Sequence, residues 1–301
     1  MRISNATLRH NVTRNLQLSL RELERSQRQM ASGRAISRPS DSPVGIAKLL
    51  GVNSVLAESA QLQSNVRDGL AWLSLTDTTL NTVGEAMHRA RELALGGANG
   101  TMPDDAREHS AREVDQLLRH VIALANTSLD GTRPIFGGTH QGGVVYTVAE
   151  RPDGLVDSVA PVTPGAGQGV VNYEIIRGID MTVNTEGHAL FVTGGLFDAL
   201  FAVRDGLLGT GDLQTALGQV DVAFNRLLDE RAVAGARYNR LAMTARGYEE
   251  QTVTLTELKS QIEDVNMAEA IMKFNTRQHV YQAALAAAAK VLQPTLLDYL
   301  R

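Results

Sequence analysis

From Leu213 to Ile262 the chain repeats one spacing: Leu213, Val220, Leu227, Ala234, Leu241, Tyr248, Leu255 and Ile262 stand seven residues apart. A companion frame holds Leu217, Phe224, Tyr238 and Ala245, with Arg231 as the exception. A second pair of frames lies in the first third. Val52, Val66, Leu73, Leu80, Met87 and Ala94 share one, broken by Ser59; Val55, Leu62, Val83 and Ala90 share the other, broken by Gly69 and Thr76. An apolar repeat of seven keeps one stripe of an α-helix turned toward a partner along its whole length. The span from Val52 to Ala94 would be about 65 Å long as a helix, more than a compact domain accommodates. Long helices packed lengthwise are therefore the constraint on the fold. Composition suits them: 43% of residues are hydrophobic but only 4% are aromatic, so the core must be built from Leu, Val, Ile and Ala.

Punctuation between the seams is local. A first helix carrying Val12, Leu16, Leu20, Leu23 and Met30 on one face is expected to end at Ser32, with Gly33 as its C-cap and Pro39 beyond. Ser42 then reads as an N-cap with Pro43 at the first helical position. The long helix is expected to close at Gly96-Gly97 and the Asn99-Gly100 turn, and Thr101-Met102-Pro103-Asp104 to cap the next helix. In that helix Val114, Leu117, Val121 and Leu124 mark the apolar face. From Asp130 to about His188 Gly and Pro become dense, with β-branched runs at 144–148, 170–176 and 179–183 and an open loop around Pro161–Gly169. Helix resumes near Leu196 and, after a turn at Gly209–Asp212, continues almost to the end. The last helix is rich in alanine, at positions 283, 284 and 286–289, which lets helix backbones approach closely.

Charge and composition remove several functions. The balance of 29 basic against 33 acidic residues gives a net charge of −4, so there is no bulk case for binding nucleic acid. The absence of cysteine excludes disulfides, thiolate metal sites and a thiol nucleophile. No apolar run is long enough for membrane insertion. Residues 1–40 nevertheless hold eight arginines against Glu22 and Glu24. There is no apolar h-region for a cleaved secretory leader. His88 with Glu92, and His109 with Glu113, stand one turn apart, but a zincin needs His-Glu-x-x-His, which is absent. Gly165–Gly169 has no following Lys-Ser or Lys-Thr and is not a phosphate loop. No catalytic, cofactor-binding or metal constellation emerges, so a structural protein is expected rather than an enzyme.

The stretch Gln29-Met-Ala-Ser-Gly-Arg-Ala-Ile-Ser-Arg-Pro-Ser-Asp-Ser-Pro-Val-Gly-Ile-Ala47 resembles the motif of the flagellin family. Its matching positions here are Ser32, Gly33, Arg38, Pro39, Ser40, Asp41, Pro43 and Gly45, with Ser42 where a second Asp is common. Arg89–Leu95, Ala98–Thr101, Ala125-Asn126, Ile135–Thr139 and Ser260–Ala270 resemble further family segments in order. Arg38-Pro39-Ser40-Asp41 and the ending Val291–Arg301 look more like the hook–filament junction branch of the family than like filament subunits.

The resemblance implies a mainly α fold: an elongated coiled-coil rod of N- and C-terminal helices with a small inserted β-rich outer domain. The expected division is 1–43 plus 260–301 as a terminal helical domain, 44–137 plus 192–259 as a helical rod, and 138–191 as the outer domain. It implies a structural adapter of the bacterial flagellum, extracellular and exported by the flagellar type III pathway without a cleaved signal. Implied partners are copies of itself in a helical ring or tube, hook-associated protein 1, flagellin, an export chaperone and the export apparatus. The assembly interface is expected from Ile3, Leu8, Val12, Leu16, Leu20 and Leu23 with Leu285, Val291, Leu292 and Leu296. Helical ends without tertiary packing are marginal, so these ends are expected to order only when neighbours bury them. Arg89 and Leu93 resemble positions through which flagellins engage a vertebrate innate receptor, and as residues alone they read as a helical ion-pair member and a core leucine. A filament flagellin and a soluble coiled-coil signalling protein are the competing readings.

Overall fold

The computed structural model describes residues 5–99 and 102–292. The chain is mainly helical: α1 (Asn5–Ser32), α2 (Pro43–Ala98), α3 (Asp104–Ala125), α4 (Leu196–Leu207), α5 (Leu213–Glu263) and α6 (Met267–Leu292). Between α3 and α4 lie β1 (Tyr146–Glu150), β2 (Val156–Pro161), β3 (Asn172–Ile176) and β4 (Ile179–Thr182), then one wide π-type turn over His188–Val192. The chain divides into two units, Met1–Ser59 with Glu250–Arg301 and Ala60–Glu249.

Within the unit Ala60–Glu249 the leading heptad frames are buried, whereas in the companion frame of α5 Leu217 is buried, Phe224 and Ala245 are half-buried and Tyr238 is exposed. Val66, Leu73, Leu80, Met87 and Ala94 of α2 and Leu213, Val220, Leu227, Ala234, Leu241 and Tyr248 of α5 are all buried. The three interruptions have separate reasons. Gly69 leaves room: a Cβ there would stand 2.9 Å from Leu241 and 3.1 Å from Val183. Thr76 is fully buried and satisfies its hydroxyl on the Trp72 carbonyl at 2.9 Å. Arg231 reaches back to α2, donating to Asp77 at 2.7 Å and to Asn81 at 2.8 Å.

The long helix does not close at Gly96-Gly97; it passes through both to Ala98. Gly97 packs closely there: a Cβ would lie 2.4 Å from Leu207 Cδ2, and that side chain would have to shift. At the head of α3 the N-cap is Pro103, with no side-chain cap, and Thr101 lies outside the described residues. The buried face of α3 runs through Ala111, Val114, Asp115, Leu118, Val121, Ile122 and Ala125. Val114 and Val121 of the expected row are fully buried, and Leu117 and Leu124, at the edge of that face, are half-buried and pack against the same core.

The β region consists of two antiparallel hairpins, β1–β2 and β3–β4, each its own two-stranded sheet. Asn126 seats the first: its Oδ1 accepts from the Val145 and Tyr146 amides, both at 2.8 Å, and its Nδ2 donates to the Tyr146 carbonyl at 2.9 Å. The second lies on the seam, with Ile175, Met181 and Val183 in one cluster with Leu62, Val66, Leu241 and Tyr248. The loop around Pro161–Gly169 is tied down rather than open. Gly167 donates to the Gly137 carbonyl and accepts from His188, and Ala166 is buried.

One charged network runs through this core. Arg204 is fully buried, and its guanidinium donates to Asp115 at 3.2 Å, to the Val156 carbonyl and to Asp205 at 2.8 Å. Asp115 in turn accepts from the Val156 amide at 2.9 Å. The pair thus supplies the backbone partners that the first residue of β2 needs. The Tyr146 hydroxyl is the opposite case. It is buried among Phe136, Phe191 and Phe197 with no hydrogen-bond partner among the described residues, and burial pushes its pKa above the usual phenol value.

These two buried groups give predictions of opposite sign. Tyr146→Phe removes an unsatisfied hydroxyl and is expected to leave stability unchanged or raise it by about 1 kcal/mol. Arg204→Met removes the buried cation beside Asp115, which keeps only Arg119 at 3.1 Å, and leaves the Val156 carbonyl without its donor. It is expected to cost about 3 kcal/mol, with Asp115→Leu recovering part of the loss. Denaturant unfolding followed by helicity measures both.

Candidate assembly site

The unit Met1–Ser59 with Glu250–Arg301 is built around two helix breaks. The first separates α1 from α2. Gly33 adopts φ +70° and donates to the Gln29 carbonyl at 2.9 Å, the left-handed C-cap geometry that glycine allows. The second separates α5 from α6 at residues 264–266. The two breaks are hydrogen-bonded to each other: Ala35 donates to the Glu263 carbonyl at 2.6 Å, and Val265 donates to the Gly33 carbonyl at 2.9 Å. Arg34 and Asp264 form an antiparallel bridge. Side chains reinforce it, with Arg34 Nη1 2.9 Å from the Glu263 carboxylate, itself only 7% exposed.

The motif residues after Gly33 form a second layer. Asp41 Oδ2 accepts from the Arg38 amide at 3.0 Å, the Ser37 amide at 3.2 Å and the Ser37 hydroxyl at 3.3 Å. Arg25 of α1 lies 3.6 Å from the other oxygen. Partial burial works against the charge of Asp41, but the Arg38 and Ser37 amides, the Arg25 guanidinium and the Ser37 hydroxyl outweigh it and hold its pKa below the usual carboxylate value. Ser42 caps α2 as its position implied, accepting from the Gly45 amide at 3.1 Å. Gly45 sits in a tight spot: a Cβ would stand 2.4 Å from the Ile36 Cδ1 and 2.9 Å from Ser42 Oγ, so both side chains would have to move. Ser32 Oγ accepts from the Arg34 amide at 3.3 Å. Pro43 opens α2, while Pro39 and Ser40 make the exposed tip of the turn.

Beyond the breaks α1 and α6 run antiparallel. Arg277 joins them, donating to the Glu22 carbonyl at 3.1 Å and to the hydroxyl of buried Ser26, with Glu22 Oε2 at 2.9 Å. The seam proposed from sequence is distributed as follows. Val12, Leu16 and Leu23 are half-buried, and Leu20 and Leu285 are exposed. Ile3 and Leu296 lie outside the described residues, as do the side chains of Leu8, Val291 and Leu292. Apolar residues that sequence reasoning did not single out are also open: Leu18, Met267, Ile271, Met272 and Val280. A shallow groove adds Val52 and Val55 of α2 and Leu255, Leu258 and Ile262 of α5, with Gly51 beside them. Large apolar side chains left open in such number are the kind of surface that another chain covers.

Arg34, Glu263 and Arg277 were not legible as site residues, because their partners lie more than 200 positions away along the chain. The His–Glu pairs also resolve differently from a metal site. Glu92 and Glu113 both pair with Arg89, at 3.1 Å and 2.7 Å, and His88 packs on Phe224. Among the described residues no group of three metal-ligating side chains occurs. Arg89 is therefore an ion-pair centre between α2 and α3, and Leu93 packs half-buried against the core.

Two family models match the chain: the bacterial flagellin N-terminal helical region over residues 3–140 and the C-terminal helical region over residues 217–300. The chain belongs to the flagellin family. It is a flagellar structural protein; the matched regions hold α1, α2, α3, α6 and most of α5, while α4 lies between them. A flagellin of Halalkalibacterium halodurans is 24% identical over 283 residues, covering 94% of this chain and 93% of the relative. Among solved structures, one described as a flagellar hook-associated protein from Vibrio parahaemolyticus aligns with TM-score 0.64 and 20% identity, over 74% of this chain and 100% of its own. Bacillus cereus FlgL aligns with TM-score 0.57 and 23% identity, over 70% and 99%. These similarities establish the fold.

Asp41 gives a pH prediction. Its folded-state pKa is depressed below the unfolded value of about 3.9, so its contribution is full above roughly pH 5 and is lost as pH falls through the folded value. Asp41→Asn is expected to cost about 1–2 kcal/mol at pH 7. Parent and variant are expected to converge as the pH falls through that depressed value, which urea titrations at pH 7 and along a descending acid series measure.

Proposed function

We propose that this protein is the structural adapter between the hook-associated zone and the flagellin filament, with no catalytic step, cofactor or metal. The observation that carries the reading is the open apolar surface on α1 and α6, in a chain whose fold follows FlgL over nearly the full length of that structure. The Arg38-Pro39-Ser40-Asp41 motif supports the junction branch. In this reading copies of the chain form a helical ring through a heterologous, head-to-tail interface. One rim accepts hook-associated protein 1 and the other accepts flagellin. The subunit reaches the cell exterior by the flagellar type III pathway with an export chaperone, retaining its amino terminus, and its terminal helices complete their packing on assembly. The division into a terminal helical domain, a rod and a β-rich outer domain fits these roles: closure of the tube, axial stacking and surface exposure.

A second reading, filament flagellin, is favoured by the sequence relatives, which match over most of their length. Cells lacking the chain separate the two. The adapter reading expects bare hooks with intact flagellin released into the medium, and immunogold label confined to one point above the hook. Label distributed along the filament would overturn it.

A further inference from the structure

We propose that the outward face of α1 docks on the α5 surface of a second copy of this chain, through two charge stripes of opposite sign and matched spacing. Along α1, Arg14, Leu18, Arg21, Arg25 and Arg28 follow a 4-3-4-3 spacing, which places them on one helix face. That face is turned away from α6, whose side of α1 carries Val12, Leu16, Leu23 and buried Ser26. Arg14 and Arg21 are exposed, and Leu18 between them is 51% exposed. Arg25 is already held by Asp41, and Glu22 is turned to Arg277. Glu24 flanks the stripe.

The matching surface is on α5. Between Arg246 and Lys259 its residues include Glu249, Glu250 and Glu257 and no base. Val253 stands among them, four after Glu249, three after Glu250 and four before Glu257, and is 67% exposed. All three carboxylates are exposed, and none forms an ion pair with a described residue. Each stripe is therefore one open apolar side chain flanked by like charges seven residues apart, Arg14 and Arg21 against Glu250 and Glu257. Seven residues rise about 10 Å along a helix, so two such stripes laid side by side pair both charges while burying Leu18 against Val253. Isolated surface pairs contribute little, but charges that flank a buried apolar contact fix register and exclude wrong alignments. The occupant is a second copy because both halves of the match are on this chain and each is open. The inference rests on the reading of the chain as an assembling subunit.

The natural chain has no cysteine, which makes the contact directly testable. Full-length Leu18→Cys and Val253→Cys chains are purified separately, mixed and oxidised with copper–phenanthroline, and the peptide linking positions 18 and 253 is quantified by mass spectrometry. The control replaces Val253→Cys with Met243→Cys, on the same helix and 71% exposed. The expected yield is about tenfold above the control. Adding Arg14→Glu and Arg21→Glu to the first chain is expected to reduce it about tenfold, since facing like charges are strongly disfavoured. Adding Glu250→Arg and Glu257→Arg to the second chain is expected to restore it, and that rescue separates docking from misfolding. A yield at control level, insensitivity to the first charge reversal, or failure of the rescue overturns the proposal. The two readings fail separately. Junction-confined immunogold label without the 18–253 link removes this contact and keeps the adapter, whereas the link with label along the filament does the reverse.

Discussion

In the unit Ala60–Glu249, two helices meet along a single line of apolar side chains, and everything else there is fitted to that line. Burial of Leu73, Leu80, Leu227 and Leu241 fixes where α2 and α5 approach, and each polar or missing side chain in the repeat answers a demand the line creates. Gly69 makes room for the β3–β4 hairpin. Thr76 closes its hydrogen bond on its own helix, and Arg231 converts a break in the apolar frame into a cross-helix ion pair. Because aromatic rings are few, the seam is narrow. The aromatic cluster of Phe136, Tyr146, Phe191 and Phe197 is reserved for the foot of the β1–β2 hairpin, where the regular repeat gives way to loops.

The unit of the terminal segments solves a different problem. Two helices must each stop and restart, which exposes backbone groups that a continuous helix would satisfy. The chain pairs the breaks so that each supplies partners for the other: Gly33 and Glu263 offer carbonyls, and Ala35 and Val265 offer amides. The family motif is accordingly a structural device. Its glycines answer a left-handed turn and a close contact, and its Asp41 gathers the amides of a tight turn. Gly33, Asp41 and Ser42 thus have work within the subunit itself, whether or not a partner touches them.

What the sequence discloses and what it hides follow from the range of the forces involved. Heptad seams, the Gly33 cap and the Ser42-Pro43 restart are written in neighbouring residues and were legible. Strand β2 was missed because its first residue is secured by Asp115 and Arg204, distant side chains that no local alternation announces. The face of α3 was legible through Val114 and Val121, but its full width was not. Leu117 and Leu124 are as apolar as Leu118 and Ile122, and the width of the face is set by alanines and a buried aspartate. The joining of Arg34 to Glu263 and of Glu22 to Arg277 depends wholly on the folded topology, so only the exposed apolar character of the terminal helices could be anticipated.

The antiparallel bridge between Arg34 and Asp264 carries a consequence for how such a chain changes over time. Two linkers that share hydrogen bonds cannot alter length independently where they pair: one residue inserted between Gly33 and Ala35 would put one of them out of step with Glu263 and Val265. Insertions and deletions between these paired residues are tolerable only in compensating pairs, drawn from segments more than 200 positions apart along the chain. The loops between α3 and α4 face no such coupling at their exposed tips. Length variation is thereby channelled into the middle of the chain, while the two ends keep time with each other.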